Sequence, residues 1–190
     1  MIERFGGIDV PVNNAGITHR SAFSETDTAV LRRVMDVNLF GAIHCTKAAL
    51  PSLLARRGLI VAVSSIAGVA PLFGRTGYAA SKHAMAGFFD SLRIELDGSG
   101  VSVTLVDPGF VGTGAQGRNL GADGAPLGSN PINVAAAMGP EECARITLRA
   151  ALSRKREVVM TARGKIGLWL KLVAPGLVDR LAAAAIARGK

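Results

Sequence analysis

The chain has 190 residues, 49% of them hydrophobic, and a formal net charge of +8. That length suffices for one domain with a sizeable core, and a mean hydropathy of +0.33 excludes a disordered polyelectrolyte. The lysines and arginines are dispersed apart from Arg154-Lys155-Arg156, and aromatic residues make up only 5%, which argues for a solvated basic surface and against nucleic-acid binding.

The N-terminus has no apolar signal core, and no uninterrupted apolar run reaches the ~20 residues of a membrane span. A cytoplasmic protein is therefore expected. Cys45 and Cys143 lie in apolar segments without metal-ligand spacing, and are expected as buried free thiols. His19, His44 and His83 form no ligand pair, so no metal site is expected and no chemistry is assigned to them.

In chain order, Ile8–Val12 predicts a short strand, and Asn13 to Gly16 the turn leaving it. Pro11 is odd inside a strand because it cannot donate to a ladder. Ser24-Glu-Thr-Asp27 has the capping-box pattern, and a long helix is expected from about Asp27 to Arg57, kinked or divided at Pro51. Asn38 is a polar residue in the middle of it. The apolar run Leu59–Val63 reads as a buried strand ending in two hydroxyls, Ser64 and Ser65. A helix follows from Tyr78 to about Asp97, with Ala84, Met85, Phe88, Phe89, Leu92 and Leu96 forming a broad apolar surface. Gly98-Ser-Gly100 ends it, Val101–Val106 is a third buried strand, and Pro108-Gly109 turns out of that strand.

Between residues 110 and 139 the many glycines predict a flexible loop, read as a lid over a substrate. Pro140-Glu-Glu opens another helix, and Glu157–Thr161 is the last expected strand. The tail is apolar at 166, 168, 169, 170, 172 and 173, with Lys165 and Lys171 between. It covers the substrate pocket or a subunit contact in one reading, and touches a membrane interface through 164–173 in another.

Tyr78 and Lys82, at i and i+4, share one helix face. A tyrosine titrates near ~10, and an adjacent ammonium is expected to lower that value. Tyr78 then suits a general acid–base, and Ser65 could steady a substrate oxygen. Alone the pair is a loose pattern. Joined to Asn13-Asn14-Ala15-Gly16, to Asn38 in Asp36-Val-Asn-Leu-Phe-Gly41, and to Pro108-Gly109-Phe-Val-Gly-Thr113, it becomes specific. Over essentially its whole length the chain closely resembles the short-chain dehydrogenase/reductase family, classical type.

The resemblance implies an α/β fold with a Rossmann-like, doubly wound parallel sheet of about four strands and flanking helices. Residues 1–163 would be a partial dehydrogenase domain, with 110–139 as its substrate loop, and 164–190 an extension packed on it. The implied catalytic set is Asn38, Ser65, Tyr78 and Lys82. Ser65 is preferred to Ser64 because it precedes Tyr78 by the thirteen positions usual in the family. Implied cofactor contacts are Asn14, Ala15, Gly16, Tyr78, Lys82, Pro108, Gly109, Val111 and Thr113.

The implied activity is hydride transfer between a nicotinamide cofactor, NAD or NADP, and a carbonyl/secondary alcohol, with an apolar substrate in view. Tyr78 would exchange the proton, Lys82 would hold the nicotinamide ribose, and the Asn38 backbone would hold a relay water. A homodimer or homotetramer is implied. The alternative is a non-catalytic relic serving as a binding or regulatory subunit. The family's N-terminal Gly-rich turn, the seat of pyrophosphate binding, has no counterpart here, so NAD and NADP are not separated. An N-terminally incomplete copy of a longer enzyme is the expectation. Its Ile8–Val12 strand would be an aggregation-prone sheet edge, so the chain expressed alone is expected to be poorly soluble, or to associate and bind no dinucleotide.

Overall fold

In the computed structural model, which describes residues 2–113, 119–128 and 137–188, the sheet is built around the run Leu59–Val63. This is β2, and four of its five residues are buried. It lies between β1 (Val12–Asn13) and β3 (Ser102–Asp107), and β4 (Glu157–Val159) pairs beyond β3. All three pairings are parallel, with Val12 opposite Val61, Val61 opposite Thr104, and Val106 opposite Val158. Parallel strands buried on both faces carry apolar runs rather than alternation, which is why β2 and β3 were legible.

The helices are α1 (Ile2–Phe5), α2 (Thr28–Met35), α3 (Gly41–Arg56), α4 (Thr76–Glu95), α5 (Pro140–Leu152), α6 (Ala162–Val173) and α7 (Pro175–Arg188). Ile60, Ala62, Val103 and Leu105 face one layer, with Ala49 and Leu53 of α3 and Met85, Phe89 and Leu92 of α4. Leu59, Val61 and Val106 face the other, packed against Ala151 of α5, Val158 and Met160. The sheet is thus covered on both sides, a Rossmann-like α/β arrangement.

Several boundaries differ from the sequence reading. The expected strand Ile8–Val12 shrinks to Val12–Asn13. Asp9 and Pro11 still offer carbonyls to the N–H groups of Leu59 (2.9 Å) and Val61 (3.0 Å), but Pro11 has no N–H to return a bond. The expected helix from Asp27 to Arg57 is α2, a π turn over Asp36–Phe40, and α3. Its N-cap is Asp27, whose carboxylate accepts from the Ala29 N–H (2.8 Å), rather than Ser24. Pro51 sits inside α3, which runs on to Arg56. α4 begins two residues before Tyr78, β3 extends to Asp107, and β4 stops at Val159 rather than Thr161.

The thiols also differ: Cys45 is exposed on α3 and Cys143 is only half-buried. Of the expected loop 110–139, residues 114–118 and 129–136 lie outside the described residues, as do 189–190 of the tail. The described part between them is pinned to the chain near His19. Leu120 accepts from the Arg20 N–H (2.8 Å) and donates to the Thr18 carbonyl (2.9 Å), while the Asp27 N–H donates to the Ala122 carbonyl (2.9 Å).

Phe89 is fully buried between α4 and the sheet, edge-on to Phe88 with ring centroids 5.1 Å apart. Phe89→Ala is expected to lower unfolding stability by about 3–5 kcal/mol through lost burial and the cavity left behind. Urea denaturation checks this, and a loss below about 1 kcal/mol would place the core elsewhere.

Candidate active site

Parallel strands deliver their carboxyl ends to one side of the sheet, and open α/β sheets bind ligands there. Asn14 leaves β1, Ser64 and Ser65 leave β2, and Pro108 leaves β3 at that side. Together with Tyr78 and Lys82 from α4 they line a cavity of about 420 Å³, whose wall also includes Gly16, Gly109, Val111, Thr113 and Asn119. The volume falls within the range of small-ligand sites. Of the expected cofactor contacts only Ala15 does not line it; its neighbours in the turn do.

Asn38 does not line the cavity either, yet it holds two walls of it in register. Its residue sits in the π turn, a local geometry frequent at functional sites, and its side chain is fully buried. Its Oδ1 accepts from the Ile17 N–H (2.8 Å), and its Nδ2 donates to the Ile17 carbonyl (3.0 Å) and to Ser81 Oγ (2.9 Å). Ser81 donates in turn to the Tyr78 carbonyl (2.7 Å). The carboxamide therefore clamps the β1 turn onto the first turns of α4. Gly16 keeps this junction open: a Cβ there would stand 3.3 Å from Asn38 Oδ1 and 3.7 Å from Lys82 Nζ.

The two hydroxyls after β2 divide their work. Ser64 donates to the Lys82 carbonyl (3.3 Å), a structural bond, while Ser65 accepts from the Ala67 N–H (3.1 Å) to cap the short 3₁₀ turn Ile66–Gly68. Ser65 also stands close enough to the Tyr78 phenol to favour its ionised form.

The electrostatics reverse one expectation. Burial raises the Tyr78 pKa above its ordinary value, outweighing Ser65 and the charge of Arg75. Lys82 is not what governs the phenol. Its ammonium lies 5.9 Å from the centre of the tyrosine ring and donates to the Val63 carbonyl (2.9 Å). Burial pulls its own pKa down to about 8, against the nearby Asp107 charge. An ammonium carries three donors. Val63 takes one and the Met85 sulfur a long contact of 3.8 Å, which leaves donor capacity beside the cavity.

Three contributors escaped the sequence reading. Asp107, at the end of β3, is fully buried, and neither carboxylate oxygen finds a partner in hydrogen-bond geometry. Burial, with Glu157 adding, pushes its pKa up to about 7; Ser64 and the Ser65 backbone pull it the other way. Arg75 lines the cavity with its guanidinium 5.8 Å from the centre of the Phe110 ring. His19 is fully buried and accepts at Nε2 from the Gly77 N–H (3.0 Å), satisfying an otherwise orphaned donor at the start of α4.

That bond fixes the tautomer. The proton must sit on Nδ1, which donates to Ser21 Oγ (3.3 Å); Ser21 then donates to Thr26 Oγ1 (2.7 Å), and Thr26 to the Ala22 carbonyl (2.7 Å). Gly77 admits the ring, since a Cβ there would meet Nε2 at 3.1 Å and Leu31 at 2.8 Å. Only a tertiary contact spanning 58 positions makes His19 matter, and no local pattern signals that. Among the described residues no cluster of three or more His, Cys, Asp or Glu is placed to hold a metal.

The family model described as short chain dehydrogenase matches residues 1–122. The chain belongs to the short-chain dehydrogenase/reductase family. Dehydrogenase/reductase SDR family member 7B of Bos taurus is 40% identical over 185 residues, covering 96% of this chain and 57% of its own. A dehydrogenase/reductase SDR family protein 7-like of Anopheles gambiae is 37% identical over 179 residues, 93% of this chain and 56% of its own. The chain thus spans somewhat over half the length of these relatives. A crystal structure of a short-chain dehydrogenase from Streptomyces avermitilis superposes with a TM-score of 0.74 at 27% identity, over 100% of this chain and 73% of that one. No described helix is long and apolar enough to cross a membrane.

The His19 bonds carry a pH signature. Burial, helped by the Arg75 charge, lowers the imidazole pKa below its ordinary 6.5. The folded state then binds fewer protons than the unfolded one, so stability rises with pH across this range. The contribution is complete above about pH 6.5 and erodes as pH falls below it. His19→Gln is expected to flatten the fall in melting temperature between about pH 7 and 5. An unchanged slope would mean that the imidazole titrates freely.

Proposed function

We propose that this chain carries the proton-transfer and substrate-orienting half of a nicotinamide-dependent oxidoreductase acting on a carbonyl/secondary alcohol pair. The supporting observation is the convergence of Ser65, Tyr78 and Lys82 on one cavity, with Asn38 fixing their mutual register. The family relationship supports the oxidoreductase class. NAD or NADP, when bound, supplies or accepts the hydride.

The residues fit such a group. The spare donors of Lys82 suit ribose hydroxyls, Gly16 leaves the backbone approach open, and Pro108, Gly109, Val111 and Thr113 offer a wall for the nicotinamide. In the reductive direction the Tyr78 phenol donates its proton to the substrate oxygen, and Ser65 donates a hydrogen bond to the same oxygen. The phenol is protonated near neutral pH, the form that donates, while burial makes it a weaker acid than a free tyrosine. In the oxidative direction the phenolate must form, and the Ser65 hydroxyl and the Arg75 charge favour it against the cost of burial. The described segment 119–128 stands at the cavity through Asn119, and we assign the loop 110–139 the role of substrate cover.

Tyr78→Phe is expected to lower turnover by about 10²–10⁴-fold, the usual contribution of general acid–base catalysis, with nucleotide binding retained. Nicotinamide absorbance with a ketone panel measures the first, and fluorescence of the bound nucleotide the second. Retention of more than about a tenth of the activity would remove Tyr78 from that role. If neither nucleotide gives a saturable signal or turnover, with the chain alone or with the N-terminal Gly-rich segment of a longer relative joined to it, the alternative of a non-catalytic binding subunit replaces this one. Reduction is also expected to slow as pH rises past about 8, where Lys82 loses its proton. A rate that is level to pH 10, about two units further, would show that the ammonium is not required.

A further inference from the structure

Outside the cavity, α6 has two unlike faces. Its inner face packs on the domain: Gly164 lies against Val159 and Ile66, and Lys171 donates to the Val69 carbonyl (2.9 Å). Among the described residues its outer face is largely uncovered. Ile166, Trp169, Leu172 and Val173 are 66%, 72%, 77% and 76% exposed, and Leu177 and Leu181 of the following helix α7 are exposed as well. Ile166, Trp169 and Val173 recur at i, i+3 and i+7, one stripe of a helix, and with Lys165 and Leu170 they form a shallow groove.

The charges around this stripe are of one sign. Residues 162–184 contain Arg163, Lys165, Lys171 and Arg180, and Asp179 as the sole acid. None of the four cations forms an ion pair among the described residues. Arg163 and Lys165 fall on opposite edges of the apolar stripe by helical geometry. A second copy docking face to face would oppose like charges across a two-fold axis, which disfavours self-association through this face.

We propose that the outer face of α6, extended by α7, lies in the interface of an anionic lipid bilayer. Trp169, Ile166, Leu172 and Val173 enter the headgroup–acyl boundary, and Arg163, Lys165 and Arg180 meet lipid phosphates. A helix with an apolar face, a flanking tryptophan and basic edges binds membranes in the plane of the interface, and indole favours that depth. The occupant is a surface; no spanning segment is invoked.

Trp169 is the chain's single tryptophan, so its fluorescence reports on this helix alone. The full chain is mixed with vesicles of phosphatidylcholine containing phosphatidylserine, and with vesicles of phosphatidylcholine only. The expected result is a shift of Trp169 emission to shorter wavelength, with co-sedimentation, on the anionic vesicles. Arg163→Gln and Lys165→Gln should each weaken that binding roughly fivefold, as one basic side chain does at an anionic surface. Ile166→Glu with Leu172→Glu, at exposed positions whose retained fold circular dichroism checks, should abolish it while keeping Trp169 as the probe. The proposal is overturned by an unshifted emission with the protein left in the supernatant. It is equally overturned by a shift that grows with protein concentration without vesicles, the mark of self-association. Equal binding to uncharged vesicles, or unimpaired binding of the double glutamate variant, would also overturn it.

Discussion

The Asn38 carboxamide is the constraint on which the rest of the site depends. Three hydrogen bonds from one fully buried side chain join the turn after β1 to α4. A buried amide left unpaired costs about 1–3 kcal/mol per group, so neither partner can drift without leaving polar atoms stranded. The π turn supplies the asparagine at the necessary phase. An uninterrupted α-helix through Asp36–Phe40 would aim residue 38 differently, since the extra residue shifts every later side chain around the axis. The first turn of α4 is then held at two points, by Ser81 at the Tyr78 carbonyl and by His19 at the Gly77 N–H.

Burial dominates the electrostatics of the cavity. It raises the Tyr78 and Asp107 pKa values and lowers those of Lys82, Arg75 and His19. Each shift favours the neutral form, as removal from water requires. Lys82 and Asp107 partly offset one another, and about 8 for the ammonium against about 7 for the acid places both transitions close to neutrality. Perturbed values of this kind cluster at functional sites. The simple picture of a lysine lowering a tyrosine pKa through proximity omits the larger desolvation effect.

Much of the fold was legible because parallel α/β architecture writes itself locally. Leu59–Val63 and the run ending at Asp107 are apolar since both faces are covered, and the residues that leave their ends, Ser64, Ser65 and Pro108, were placed by that reading alone. The Tyr78–Lys82 spacing put both side chains on one face of α4, and the cavity receives both. The misses share a cause. Pro11 shortened β1 by removing a donor whose importance depends on the neighbouring strand, and the N-cap moved from Ser24 to Asp27 because Ser21, Thr26 and His19 commit that stretch to a different hydrogen-bond chain.

By itself the sequence determined the order of the four strands and of the helical stretches between Asp27 and Leu152, and the residue types offered to the cavity, because these follow from side-chain period and backbone chemistry; α1, α6 and α7 were not read from it. Tertiary structure decided which of those residues act together. It turned His19, a residue with no local signature, into the cap of α4. It buried Asp107 with neither carboxylate oxygen in hydrogen-bond geometry among the described residues, reversed the expected shift at Tyr78, and left the stripe through Ile166, Trp169 and Val173 facing outward. Desolvation and long-range hydrogen bonds depend on what surrounds a group in space, and that is set only when distant segments meet.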